Sequence, residues 1–266
     1  MPVNVVTNGA RSRLAVFSDH QIEKGGKEIS PIESAWPEIE GCLAALFVPR
    51  SGSTLLCREL EAAFQIGQMG EALNPAKLRK RSAQQIVAAR RNSWFAFKAA
   101  VPAVVAAESC GFFDAYIRQT SFIRLVRKDI VAQAVSLAKG SQTQTWHAHE
   151  PPIQTPVYDG DMIAFGVRNI ARGVEALGRF AEVSGRPSLI LAYEDFSNGD
   201  LSPALAAGDA LGVPRREAGA EAMYRPVERM GDVVNEEWRA RFIEEMDSST
   251  RDRIERYLEA TGQRCL

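Results

Sequence analysis

The chain of 266 residues has no charge of one sign to spare: 32 Lys and Arg stand against 33 Asp and Glu, a net charge of −1. Proteins that grip nucleic acid carry a basic excess, so no nucleic-acid partner is expected. It has only four cysteines, Cys42, Cys57, Cys110 and Cys265, with no CxxC spacing, which sets aside a disulfide scaffold or a cysteine metal site and fits a reducing compartment. It has only three histidines. His147 and His149 share a proline-bounded loop, but two ligands without a third partner do not make a metal site, and no metal is expected. No apolar run approaches the ~20 residues of a membrane span, and the N-terminus lacks a charged-then-apolar leader. A cytoplasmic setting is the expectation. Internal repeats and low-complexity tracts are also missing, so one domain is the economical reading.

What is present is an ordinary globular composition, 45% hydrophobic and 24% charged, in a chain long enough for a substantial core. Residues 1–40 show no lasting period and read as a peripheral N-terminal extension. Lys24-Gly25-Gly26-Lys27, Pro31 and Pro37 punctuate it. Residues 41–266 then alternate strands with helices. Leu43–Val48, Ser93–Ala99, Ser121–Arg127 and Ser188–Tyr193 are short apolar runs of strand length. Between them fall a first helix from Thr54 to Gln68, a basic helix over Ala76–Arg91, a helix opened by Pro102, one begun at Asp129 and running to about Lys139, and a long amphipathic helix over Gly160–Ser184. Pro203–Leu211 and Asn235–Thr261 complete the set, the latter as one helix or a pair. This alternation implies an α/β fold with a parallel sheet covered on both faces. In such sheets a ligand lies outside the carboxyl ends of the strands. Arg50, Lys98, Arg127 and Glu194 all fall at those ends.

The organising stretch is the strand Leu43–Val48, the turn Pro49-Arg50-Ser51-Gly52-Ser53-Thr54, and the helix that follows. A strand passing through a small, hydroxyl-rich turn into a helix aims backbone N–H groups and the positive end of the helix dipole at one point, an anion site. The turn is not a Walker A loop. That pattern needs a lysine after its second glycine and a hydroxyl for Mg²⁺. Here the cation, Arg50, precedes the glycine, so the parts for a metal-bridged triphosphate are missing. On local grounds alone a purely structural turn fits equally.

A second stretch, Arg124 to Ser136, ends a strand at Arg127 and places Ser136 about two turns into the next helix. A guanidinium there can fork onto a phosphate that the serine hydroxyl also reaches. Read separately, Arg127 could instead pair with a carboxylate and Ser136 could fill a packing position.

Together the two stretches resemble the bacterial carbohydrate sulfotransferase family typified by trehalose 2-sulfotransferase. The resemblance rests on R-S-G-S-T-L-L after a strand, on V-R-K-D-I-V-A-Q-A-V-S-L followed by Gln142-Thr143-x-x-Trp146, on Phe97-Lys98, on Tyr193-Glu194-Asp195 and on Asn235-Glu236-Glu237-Trp238. It covers roughly residues 43 to 245. It implies a P-loop-related three-layer sandwich with a central parallel sheet flanked by helices. It also implies 3′-phosphoadenosine 5′-phosphosulfate as sulfuryl donor, a carbohydrate or glycolipid acceptor, and a homodimer. By the resemblance Arg50, Ser51, Gly52, Ser53 and Thr54 hold the 5′-phosphosulfate, and Arg127 and Ser136 hold the 3′-phosphate. The family's catalytic glutamate lies in a Gly-Glu pair after the first helix, which here is Gly70-Glu71, about three residues further from the loop.

Lys98 could touch donor or acceptor, or form an ion pair. Trp146 could stack on a sugar face or simply anchor its loop. Arg229-Met230 departs from the family's Arg-Gln pair, and Pro151 to Tyr158 reads as an insert, so trehalose itself is not expected as acceptor. Two rival functions remain, a P-loop-related nucleotide kinase or hydrolase and a nucleotide-binding module without catalysis.

Overall fold

The computed structural model describes residues 9, 13–26, 29, 35–90, 92–146, 151–217 and 232–262. His147, His149, Arg229, Met230 and Cys265 lie outside the described residues.

Four strands, β1 (Gly41–Phe47), β2 (Trp94–Ala99), β3 (Thr120–Val126) and β4 (Ser188–Ala192), form one all-parallel sheet in the order β2-β1-β3-β4. β1 is buried at all seven positions. Its side chains alternate between two cores, as the pleat requires. Cys42, Ala44 and Leu46 face one, with Phe95, Phe97 and Phe122. Leu43, Ala45 and Phe47 face the other, with Ile123, Leu125 and Leu191.

The first core is covered by α5 (Val101–Ser109), α6 (Phe112–Tyr116), α7 (Ile130–Thr143) and α8 (Gly160–Val183), with Trp238 and Phe242 of α11 (Val233–Glu245) and Tyr257 of α12 (Ser248–Ala260) outside them. The second is covered by α2 (Ser53–Ala63) and α10 (Ser202–Ala210), with Phe64, Ile66, Met69 and Phe196, the last from the short α9 (Tyr193–Phe196). Helices on both sides of a parallel sheet make the expected three-layer α/β sandwich. The chain moves from β1 to β2 on one side and later to β3 on the other, so the winding reverses at β1. The crevice between the carboxyl ends of β1 and β3 is the position where such folds bind ligands.

Several boundaries differ from expectation. The first helix stops at Ala63 rather than Gln68 because Phe64 swings into extended backbone and bridges antiparallel to Arg215. Its ring is fully buried against Gly208, and that packing outweighs local helix propensity. The expected helix over Ala76–Arg91 is two, α3 (Pro75–Leu78) and α4 (Ala83–Ala88). Asn74 caps the first, and a Ser82–Gln85 capping box restarts the second. α7 runs on to Thr143; of the two readings of Asn235–Thr261 the structure has the pair, α11 and α12, the latter capped by Asp247.

The N-terminal region, expected to lack regular structure, contains α1 (Asp19–Gly26). Gly25 sits so close to α5 that a Cβ would lie 2.6 Å from Val105. Phe17 packs on Phe180 in the larger core, and Arg13 pairs with the buried Glu108. No helix among the described residues is long and apolar enough to cross a membrane.

α8 is longer than the sheet it covers. Its 24 residues span about 36 Å, whereas a seven-residue strand spans about 23 Å. Gly173 meets Val48, just past the end of β1, and Gly178 meets Arg124 of β3. The first half of α8 therefore overhangs the carboxyl edge, as does α7, which packs against it.

Candidate functional site

The loop after β1 has an unusual backbone. Arg50 takes φ 68° and Gly52 φ 83°, so two of three consecutive residues are left-handed. For arginine that conformation is uncommon and needs support from outside the residue. Gly52 needs to be glycine twice over: for its φ, and because a Cβ would stand 2.2 Å from the Tyr193 ring. Gly52 also occupies the N-cap of α2, where no side chain caps the helix and no acid sits in the first turn. The first amides of α2 keep their donors available to an anion. Ser51 is fully buried, and its Oγ has no hydrogen-bond partner among the described residues.

Three cations converge on this turn from three places. Arg50 Nε donates to Ser136 Oγ at 2.8 Å, and Nη1 donates to the Trp146 carbonyl at 3.2 Å. Arg127, just past β3, donates from Nη1 to the Arg50 carbonyl at 3.3 Å. Lys98, on β2, reaches across the front of β1 so that Nζ donates to Thr54 Oγ1 at 3.1 Å and Ser53 Oγ at 3.4 Å. Burial, and then the neighbouring Arg127 charge, push the Arg50 guanidinium below its ordinary range. Like charges held together in a half-buried crevice are relieved by a bound anion. The missing Walker lysine thus has a spatial substitute on the next strand, which sequence spacing around the loop could not show.

Arg127 is firmly held. Its guanidinium lies 5.1 Å from the centre of the Tyr193 ring, and Glu194 Oε1 is 3.9 Å from its Nε. That Nε is buried and has no hydrogen-bond partner among the described residues. The Tyr257 hydroxyl donates to the Arg127 carbonyl at 2.8 Å and accepts from its N–H at 3.3 Å. Glu194, grouped with the rim charges in the sequence, has a different task. Its carboxylate accepts from the backbone N–H groups of Lys128 and Asp129 and fixes the turn into α7. Asp129 then caps α7 and pairs with Arg239 of α11.

The resemblance assigns the Arg50 turn and the Arg127–Ser136 pair to opposite ends of the donor; in the structure they adjoin, Arg127 touching the Arg50 carbonyl and the Arg50 side chain reaching Ser136. Glu71 lies next to this cluster without touching it. Gly70 bridges to Phe97 and its carbonyl accepts from the Lys98 N–H at 3.0 Å. Lys98 therefore connects the Gly70-Glu71 turn with the loop hydroxyls. Glu71 is half-buried and accepts from Asn74 Nδ2 at 3.1 Å. Glu61 steadies the turn, accepting from the Met69 N–H at 2.5 Å. The Trp146 ring is 39% exposed and rests near Gly140 of α7.

A profile of Stf0 sulphotransferases matches residues 96–245, more than half of the chain, covering β3, Arg127, Ser136 and the Tyr193-Glu194 turn. The chain belongs to the Stf0 sulphotransferase family. Among solved structures, a "Sulfotransferase Domain from the Curacin Biosynthetic Pathway" is similar at a TM-score of 0.50 and 14% identity, over 86% of this chain and 100% of that one. At that identity the likeness concerns fold. Curated proteins give no match. This sulfotransferase is accordingly an enzyme of sulfuryl transfer, on a fold whose ligand crevice holds the cation cluster.

Gln133, on α7, did not stand out in the sequence. It is 1% exposed and donates from Nε2 to the carbonyls of Pro49 at 2.8 Å and Val48 at 3.3 Å. A polar residue among Ile130, Val131, Ala134 and Val135 was the available signal. A separate cavity of about 750 Å³ opens between the start of α8 and the α11–α12 corner. None of the site residues described above lines it, and α7 reaches it through Gln142. Its carboxylates Asp159 and Asp247 cap α8 and α12.

Proposed function

We propose that this sulfotransferase moves the sulfuryl group of 3′-phosphoadenosine 5′-phosphosulfate to a hydroxyl of a carbohydrate or glycolipid acceptor, within a single domain over residues 41–266. The observation that supports this most is the pairing of unsatisfied donors with crowded cations. Ser51 Oγ and Arg127 Nε are buried without hydrogen-bond partners among the described residues, where the Arg127 guanidinium meets the Arg50 carbonyl and its charge acts on the Arg50 side chain. A donor phosphorylated at both ends matches that demand in charge and in number of acceptors.

In this reading Arg50, Ser51, Gly52, Ser53 and Thr54 bind the 5′-phosphosulfate. Arg127 and Ser136 bind the 3′-phosphate once Arg50 releases Ser136. When bound, the donor supplies an activated sulfuryl group, whose sulfur–oxygen bond to the 5′-phosphate breaks as the acceptor oxygen bonds to sulfur. Arg50, Lys98 and the α2 amides stabilise the charge that grows on the phosphate oxygen. Glu71 takes the hydroxyl proton, leaving a sulfate ester and adenosine 3′,5′-bisphosphate. Trp146 offers an exposed ring for a sugar face. No Mg²⁺ is needed where no β,γ-phosphates have to be bridged.

Calorimetry with adenosine 3′,5′-bisphosphate, ADP and ATP, followed by transfer of ³⁵S from labelled donor into fractionated cell extract, tests the assignment. Tight binding of the bisphosphate without metal, and label in a carbohydrate or glycolipid, is the expected result. Preference for ATP with Mg²⁺ would replace it with a kinase or hydrolase. Donor binding with no transfer to any fraction would favour a binding module.

A further inference from the structure

α7 presents one stripe to the loop. Gln133, Ser136 and Gly140 lie at i, i+3 and i+7, one face of a helix. The first two meet the loop after β1, and the third meets the segment that follows α7. Gln133 donates to the carbonyls of Val48 and Pro49, Ser136 accepts from Arg50 Nε, and Gly140 lies close to the Trp146 ring. The first contact has no assigned purpose.

β1 ends at Phe47, so the Val48 and Pro49 carbonyls have left the sheet ladder. Val48 is buried, where a carbonyl without a partner is costly, and few side chains can supply N–H groups to it and to the Pro49 carbonyl from one point. The Gln133 carboxamide does so while 1% exposed. Its Oε1 is buried with no partner among the described residues. The reverse orientation would set that oxygen against two carbonyl oxygens, so the donor end must face the loop. A site that leaves a buried acceptor unsatisfied retains the residue for its N–H groups.

The residue after the two clamped carbonyls is Arg50, at φ 68°. Arg127 holds the Arg50 carbonyl on the far side. Arg50 is therefore gripped before and after its own dihedrals, and its left-handed turn directs the guanidinium along α7 to Ser136. We propose that Gln133 is a positioning residue for the sulfuryl donor: by clamping Val48 and Pro49 it sets the backbone of Arg50 and hence where the guanidinium meets the nucleotide. This rests on the donor reading above.

The test is a double-mutant cycle on adenosine 3′,5′-bisphosphate affinity, using the full chain. Gln133→Leu keeps the shape and removes both donors. It should weaken binding about tenfold or more, as Arg50→Ala does, and the double variant should be no weaker than Arg50→Ala alone. Gln133→Glu supplies a second readout and a fallback if the leucine variant does not fold. As a carboxylate it repels the two carbonyls; protonated, it donates to one. Its affinity relative to the parent should recover as pH falls. Additive losses in the cycle, or a glutamate variant whose relative affinity ignores pH, would overturn the role of Gln133 while leaving the donor intact. A parent that binds the bisphosphate no better than adenosine 5′-phosphate would overturn the donor reading itself.

Discussion

Replacing Gly52 by alanine separates two costs that the structure sets side by side. The first is backbone strain. An alanine at φ 83° occupies the left-handed region, at about 1 kcal/mol. The second is a collision, since the new Cβ would lie 2.2 Å from Tyr193 Cδ2 and 2.7 Å from Cε2. Tyr193 must then move, giving up its edge contact with Phe196 and its place under the Arg127 guanidinium. Those contacts are worth about 0.5–1.5 and about 0.5–1 kcal/mol. The total is about 2–3.5 kcal/mol. Gly185 is the control, for it has φ 63° and a Cβ added there would meet no atom within 4 Å. Gly185→Ala should show the strain alone, about 1 kcal/mol. Urea unfolding of both variants reads the difference as a shift in midpoint at constant slope. In a Tyr193→Ala background, which removes the colliding ring atoms, the two substitutions should cost nearly the same. Equal losses in the parent background would refute the wedge between Gly52 and Tyr193.

Arg127→Ala should weaken adenosine 3′,5′-bisphosphate binding about 10- to 100-fold and flatten its salt dependence, measured by calorimetry at two ionic strengths. Glu71→Gln should leave that binding unchanged and lower turnover about 10²-fold, read by ³⁵S transfer. Burial pushes the Glu108 carboxyl up to about 7 against the pull of Arg13, with Asp114 adding to the rise. Because the folded value lies above the ordinary 4.5, its contribution is full below about pH 4.5 and is lost as pH climbs through about 7. Glu108→Gln should remove up to about 3 kcal/mol of that decline between pH 5 and 8, followed by urea midpoints at each pH.

The sheet was legible because its strands are apolar runs too short for helices, and Pro102, Asp129 and Gly185-Arg186-Pro187 punctuate the chain as their chemistry requires. The helix end at Ala63 was not, since Phe64 obeys a partner, Arg215, about 150 residues away. α1 was hidden for a similar reason. It is short and polar, and packing against α5 holds it more than any period of its own. Within the site, residue types marked the cations Arg50, Lys98 and Arg127, because they sit at strand ends. What each one touches could not be read. Glu194 carries the same mark and serves the backbone instead, and Gln133 carries none. Sequence position tells which residues reach the rim, whereas the folded backbone decides which of them still have donors to offer.

The hydrogen bond from Arg50 to Ser136 closes the crevice with the protein's own atoms. Ligand entry is then a trade: one internal contact is surrendered for each new one made, and measured affinity reports only the surplus. Truncating Ser136 relieves the empty chain of the same contact that the ligand would have had to break. If Ser136 binds the donor as proposed, an alanine scan will understate its part in recognition, and a mutant that merely loosens the closed form can bind better than the parent.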